Sequence, residues 1–158
     1  MTPRSNSKTA LFAGSFNPFT IGHLRIVERA LNIVDRVVVA IGYNINKPLS
    51  NEDLEKRMDQ ILRGVSHLNK PNCDPRVLIT CYHGLTAEFA ASIGADILLR
   101  GIRSMTDFEY EKNLADVNLK ILGIDTMFLI SEPETGHISS STVRELAANG
   151  FDVSPLIP

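Results

Sequence analysis

Two cysteines, Cys73 and Cys81, are all that this 158-residue chain contains, too few for a disulfide framework. Small secreted disulfide scaffolds are therefore excluded, and the expected environment is a reducing cytoplasm. No apolar run approaches the roughly 20 residues that a bilayer requires, so no membrane partner is expected. The N-terminus, MTPRSNSKT, lacks the apolar core of a signal peptide. Charge of either sign is also scarce in excess. Sixteen Lys and Arg against eighteen Asp and Glu leave a net charge of −2, which gives no reason to expect nucleic acid as a partner. Any anion site must then be a local cluster of basic side chains and helix ends. Repeats, low-complexity tracts and domain linkers are missing too. Cys81-x-His83 is too small a set for a metal site, and no metal-ligating cluster is expected.

The length and the 44% hydrophobic content suit one domain spanning 1–158. The pattern alternates strand and helix. Apolar or β-branched runs predict strands at Lys8 to Ala13, Arg36 to Tyr43, Arg76 to Cys81, Asp96 to Arg100 and Thr126 to Ile130. Helical spacing falls at Gly22 to Val34, Asn51 to His67, Thr86 to Ile93, Thr106 to Leu122 and Ser139 to Ala148. Ser50 or Asn51 can cap the second helix, and Pro48 sits in the polar loop before it. Gly94 can terminate the third helix. Five strands, each followed by a helix, predict an α/β fold with a Rossmann-like, doubly wound parallel sheet. Ligands in such sheets bind at the carboxyl ends of the strands, so the residues there deserve inspection.

After the first strand comes Gly14-Ser15-Phe16-Asn17-Pro18, then Thr20-x-Gly22-His23. Small residues followed by a helix start with an imidazole in its first turn suit phosphate binding. Lys47 follows the second strand. Thr86 follows the third and reads as an N-cap or as a residue facing ligand, the cap being favoured. Arg100-Gly101-Ile102-Arg103 follows the fourth, and two guanidinium groups flanking a glycine suit a polyphosphate clamp. Asp107 and Glu109 complement the dipole of the next helix. Thr135-Gly136-His137-Ile138-Ser139-Ser140-Ser141 follows the fifth strand, and its hydroxyls and amides form a second potential phosphate cradle. Arg144 is either a further phosphate contact or a surface charge. His67 reads as a surface residue, and Tyr43 and Tyr82 as packing.

Taken together, GSFNPFTIGH at 14–23, Lys47, RGIR with DFEYE at 100–111 and ISSSTVREL at 138–146 resemble the bacterial phosphopantetheine adenylyltransferase family of the T/HxGH nucleotidyltransferase superfamily. TxGH marks only the superfamily, whereas RGIR with DFEYE and ISSS is more specific. The resemblance covers about Leu11 to Pro158. It implies transfer of the adenylyl group of ATP to 4′-phosphopantetheine, giving dephospho-coenzyme A and pyrophosphate, with Mg²⁺ held mainly by substrate phosphates. It implies that Ser15, Phe16, His23, Gly101, Ile102, Arg103, Glu111 and Thr135, Gly136, His137, Ile138, Ser139, Ser140 and Ser141 bind ATP. Ser15, Lys47, Thr86 and Arg100 would bind phosphopantetheine, with His23, Lys47, Arg100, Arg103 and Ser140 carrying catalysis. A cytoplasmic homohexamer is the family's usual form. The first motif departs from the usual GTFDP at Ser15 and Asn17, and Thr135 and His137 stand where an aromatic residue is usual near 135. The alternatives are another T/HxGH enzyme, such as a cytidylyltransferase, and a nucleotide-binding module without turnover.

Overall fold

Apolar strands and amphipathic helices alternate in the computed structural model, which describes residues 7–44, 46–47 and 49–158. The N-terminal residues up to 6 and the loop residue Pro48 lie outside the described residues. The strands are β1 (Thr9–Gly14), β2 (Arg36–Tyr43), β3 (Val77–His83), β4 (Ile97–Ile102) and β5 (Thr126–Ile130). The helices are α1 (Ile21–Ala30), α2 (Asn51–Val65), α3 (Thr86–Ser92), α4 (Met105–Leu122) and α5 (Ser140–Ala148). All strand pairs are parallel, in the order β3-β2-β1-β4-β5. This is the Rossmann-like arrangement expected from the alternating pattern. The winding reverses between β1 and β4, which opens a crevice at their carboxyl ends.

Strand periodicity sorts the core into two faces. Phe12, Val39, Ile41 and Leu99 meet Ile26, Val27 and Ala30 of α1 and Ile61 and Val65 of α2. On the opposite face, Leu11, Val38, Ala40 and Leu98 meet Ala87 and Ala90 of α3. The near-continuous apolar run of β2 follows from burial on both sides.

Several boundaries differ from expectation for tertiary reasons. The first helix stops at Ala30, not Val34, because the Arg76 guanidinium donates to the Leu31 carbonyl at 2.6 Å and turns the chain toward β2. The second helix ends at Val65, and Ser66–Leu68 tighten into a 3₁₀ turn. Ser50 is its cap, accepting from the Asp53 amide at 3.1 Å. Strand β3 continues past Cys81 because Tyr82 and His83 pair with Gly42 and Tyr43. Strand β4 runs on to Ile102, since Arg100, Gly101 and Ile102 pair with Phe128, Leu129 and Ile130. Arg100 is therefore an interior strand residue and not a strand end. Gly94 and Gly123 adopt left-handed backbone where their helices finish. No described helix is long and apolar enough to cross a membrane.

Candidate active site

The turn between β1 and α1 is built around aromatic rings. Phe16 folds back over β1 with φ of 44°, and its ring occupies the space that a Cβ on Gly14 would need, 3.1 Å away. The imidazole of His23 stacks on Phe19, with centroids 5.4 Å apart, and meets Phe16 edge-on at 5.1 Å. Thr20 caps α1. Its hydroxyl accepts from the His23 amide at 3.4 Å, and its own amide donates to His23 Nδ1 at 2.9 Å. This reciprocal pair is a capping box in which histidine takes the place usually filled by Glu or Gln.

That geometry assigns the tautomer. Nδ1 accepts a main-chain N–H, so the proton of the neutral ring resides on Nε2. Burial, reinforced by the positive charges of Arg103 and Arg100, lowers the His23 pKa to about 4. The ring is thus a neutral hydrogen-bond donor near pH 7, held in one orientation by Thr20.

His23 lines a cavity of about 330 Å³ at the reversal point of the sheet. Ser15, Phe16, Gly101, Arg103, Glu111, Ile138, Ser139, Ser140 and Ser141 share its wall with Arg100 and Arg144. Arg103 is held at the rim by Asp107, whose Oδ2 accepts from its Nε at 3.2 Å. Asp107 therefore does more than complement the dipole of α4. Ser139 is the N-cap of α5 and accepts from the Thr142 amide at 3.0 Å. Ser140 donates its hydroxyl to the Pro18 carbonyl at 2.7 Å. Ile102, Thr135, Gly136 and His137, grouped with these by the sequence, do not line this cavity. Ile102 and Thr135 are buried. The Thr135 amide donates to the Glu132 carbonyl at 3.0 Å, which closes the turn beneath the cavity. His137 is exposed on that turn.

A second cavity of about 720 Å³ lies on the α3–α4 face. Leu11, Leu85, Leu114, Val117 and Ile121 form much of its apolar wall, with Asn44, Asn46, Tyr82, Thr86 and Asn118 as polar groups. Thr86 is not the cap of α3. Leu85 occupies that position, and the Thr86 hydroxyl instead bonds the Tyr82 phenol at 2.7 Å. Lys47 is exposed and lines neither cavity, although Asn46 beside it does. Tyr82 also stacks on Phe89, so it both packs and lines.

The cavities share Ala13, Gly14, Arg100 and Glu111. Arg100 donates through Nε and Nη2 to Glu111 at 2.8 and 2.5 Å, and through Nη1 to the Ala13 carbonyl. The family resemblance assigns these two side chains to different ligands. In the fold they form one bidentate pair at the junction. Among the described residues no group of three His, Cys, Asp or Glu could hold a metal ion. Both carboxylates lining the smaller cavity are engaged by arginine.

Comparison with known proteins accounts for this architecture. A family model described as cytidylyltransferase-like matches residues 11–146. A phosphopantetheine adenylyltransferase of Phocaeicola vulgatus is 45% identical over 96% of this chain and 95% of its own length. One from Porphyromonas gingivalis is 46% identical over 94% and 93%. Among solved structures, a bifunctional NMN adenylyltransferase/ADP ribose pyrophosphatase from Francisella tularensis superposes with a TM-score of 0.63 at 17% identity. That match covers 93% of this chain but 44% of the longer protein, and it shows the fold alone. The full-length matches extend across both cavities and the junction between them, and the chain belongs to the phosphopantetheine adenylyltransferase family.

Proposed function

We propose that the chain transfers the adenylyl group of ATP to 4′-phosphopantetheine, forming dephospho-coenzyme A and pyrophosphate. The observation that carries this reading is the pair of cavities meeting at Arg100 and Glu111. A polar cavity rimmed by arginines and a helix start suits a nucleotide triphosphate. A longer cavity with apolar walls and spaced amide and hydroxyl groups suits the pantetheine arm. Two ligands so placed would bring their phosphates together at one point.

In this reading, a phosphate oxygen of phosphopantetheine attacks the α-phosphorus of ATP. The bond from that phosphorus to the β-bridging oxygen breaks, and pyrophosphate departs with the electron pair. The nucleophile is already an anion, so no protein base is required. Catalysis is positioning and charge stabilisation. The Nε2–H of His23 donates to the α-phosphate oxygens as charge builds there. Arg103 and the start of α5, with Ser139, Ser140 and Ser141, hold the leaving pyrophosphate. Arg100 orients the acceptor phosphate, with Lys47, on the loop whose Asn46 lines the larger cavity, as the second cation. Mg²⁺ supplies further charge neutralisation when bound, carried mainly by phosphates, because Asp107 and Glu111 are committed to arginines.

We place the enzyme in the cytoplasm as a homohexamer. The apolar outer surface of α4 supports assembly, since Met105 and Leu119 are 79% and 50% exposed and line neither cavity. The activity is tested by pyrophosphate release from ATP with 4′-phosphopantetheine, using pantetheine as the control that lacks the nucleophile. Release with the phosphorylated acceptor alone is expected, and ATP should outcompete CTP. His23→Ala should lower kcat by on the order of 100- to 1,000-fold with ATP KM little changed. Turnover close to wild type in that variant would remove His23 from the mechanism.

A further inference from the structure

The turn that carries the reacting histidine is gripped from outside by side chains of two helices. On one side, α5 supplies Ser140 to the Pro18 carbonyl and Arg144 to the Asn17 carbonyl. On the other, α2 supplies two residues one turn apart. Arg57 donates from Nη1 to the Ser15 carbonyl at 3.2 Å. Gln60 donates from Nε2 to the Phe19 carbonyl at 3.0 Å, while its Oε1 accepts from the Phe19 amide at 3.2 Å. The α5 residues line the nucleotide cavity; Arg57 and Gln60 do not.

The consequence for chemistry is geometric. Phe19 stacks on the His23 ring, and the next residue, Thr20, bonds its Nδ1. Gln60 fixes both main-chain groups of Phe19, so it fixes one plane of the aromatic box and the start of the capping box. Arg57 fixes the other end of the turn, at Ser15, which lines the cavity. Burial of the Arg57 guanidinium against this turn lowers its pKa; Asp53 counters that shift and Arg144 adds to it. A cation taken partly out of water there loses hydration that its bond to Ser15 only partly replaces. A misplacement of about 1 Å in a reacting group can cost on the order of 100-fold in rate.

We propose that Arg57 and Gln60 are positioning residues for adenylyl transfer, acting through the β1–α1 turn to aim the Nε2–H of His23 at the phosphorus undergoing attack. The proposal rests on the reading of His23 given above. It also links the two substrates physically, because α2 follows directly on the loop that carries Lys47. Neither residue touches either ligand in this account.

The test is a double-mutant cycle on the full-length enzyme, with pyrophosphate release as the assay. Arg57→Met and Gln60→Glu should each lower kcat by about 10- to 100-fold, with KM for ATP and for phosphopantetheine within about threefold of wild type. Arg57→Lys, which keeps a donor, should restore most of the rate. In a His23→Ala background, Arg57→Met and Gln60→Glu should have little further effect on kcat, because the group they aim is gone. Thermal midpoints of all variants report whether the fold survives, and Gln60→Glu carries the cycle where Arg57→Met does not fold. If each substitution multiplies the residual His23→Ala rate by the same factor it imposes on wild type, the positioning role is refuted. Changes confined to KM would refute it as well. If His23→Ala itself leaves kcat unaltered, the failure lies in the reading of His23 and not in the clamp.

Discussion

Removing the Glu111 carboxylate separates what the junction does for stability from what it does for catalysis. Glu111 is the one acidic residue among the buried polar side chains of the described chain. Its two oxygens receive the fork of Arg100, and the side chains retain 10% and 32% of their exposure respectively. Glu111→Gln keeps the shape, removes the negative charge and turns an NH₂ group toward a guanidinium N–H. Breaking a buried pair by deleting one partner costs about 3–5 kcal/mol, chiefly because the other charge is stranded. Arg100 is about one-third exposed, so solvent and the Ala13 carbonyl recover part of that loss. About 2 kcal/mol is the expected destabilisation. For a domain of this size that corresponds to a fall in thermal midpoint of about 4–8 °C. Differential scanning calorimetry at neutral pH reads it directly. The companion is the double variant Arg100→Met with Glu111→Leu, which removes both charges and fills the space. It should recover most of the lost stability while turnover with ATP and phosphopantetheine stays low, because no charge remains at the junction. A Glu111→Gln midpoint within about 1 °C of wild type would refute the burial argument. A double variant as unstable as the single one would show that the cost does not come from a stranded arginine.

His23 makes stability depend on pH in a defined direction. Its folded pKa of about 4 lies below the ordinary 6.5, so between these values the unfolded chain binds a proton that the folded chain does not. Stability is therefore full above about pH 6.5 and falls as pH drops toward 4, by up to about 3 kcal/mol in total. Urea titrations of wild type and His23→Gln at pH 7 and pH 5 check this, and the wild type should lose more stability than the variant. Lys47→Ala should raise the KM for phosphopantetheine with ATP KM nearly unchanged, measured by steady-state pyrophosphate release. A rise confined to ATP would assign Lys47 to the other substrate.

The strand and helix succession was legible because β1, β2 and β4 are apolar runs with buried centres and α1 and α2 carry apolar stripes, while β5 reads as a strand from its apolar composition although none of its residues is buried. Polar connections that carry the candidate site residues were legible as clusters of Gly, Ser, His and Arg near strand ends. Individual roles were less so. Thr86 looks like an N-cap in one dimension, but Tyr82, four residues earlier, takes its hydroxyl and leaves Leu85 at the cap position. Thr135 belongs to the run of hydroxyls preceding α5, yet it is buried in the turn while Ser139, Ser140 and Ser141 line the cavity. Arg57 and Gln60 carried no signal at all, since their partners are main-chain groups about 40 residues away. Thr20-x-x-His23 has the spacing of a capping box, with histidine where Glu or Gln is usual, and so is readable in one dimension.

The order of elements, the motif at the first strand end and the residue types available to hold phosphates were determined by the sequence alone, because local periodicity and turn chemistry set them. Tertiary structure decided which of these groups meet. It paired Arg100 with Glu111, because strand alternation sets Arg100 on the same side of β4 as Leu98, the side covered by α3, where it reaches Glu111 of α4. It made His23 a neutral donor through burial and an amide at Nδ1. Contacts between residues distant in the chain depend on how sheets and helices pack, and no local spacing encodes them.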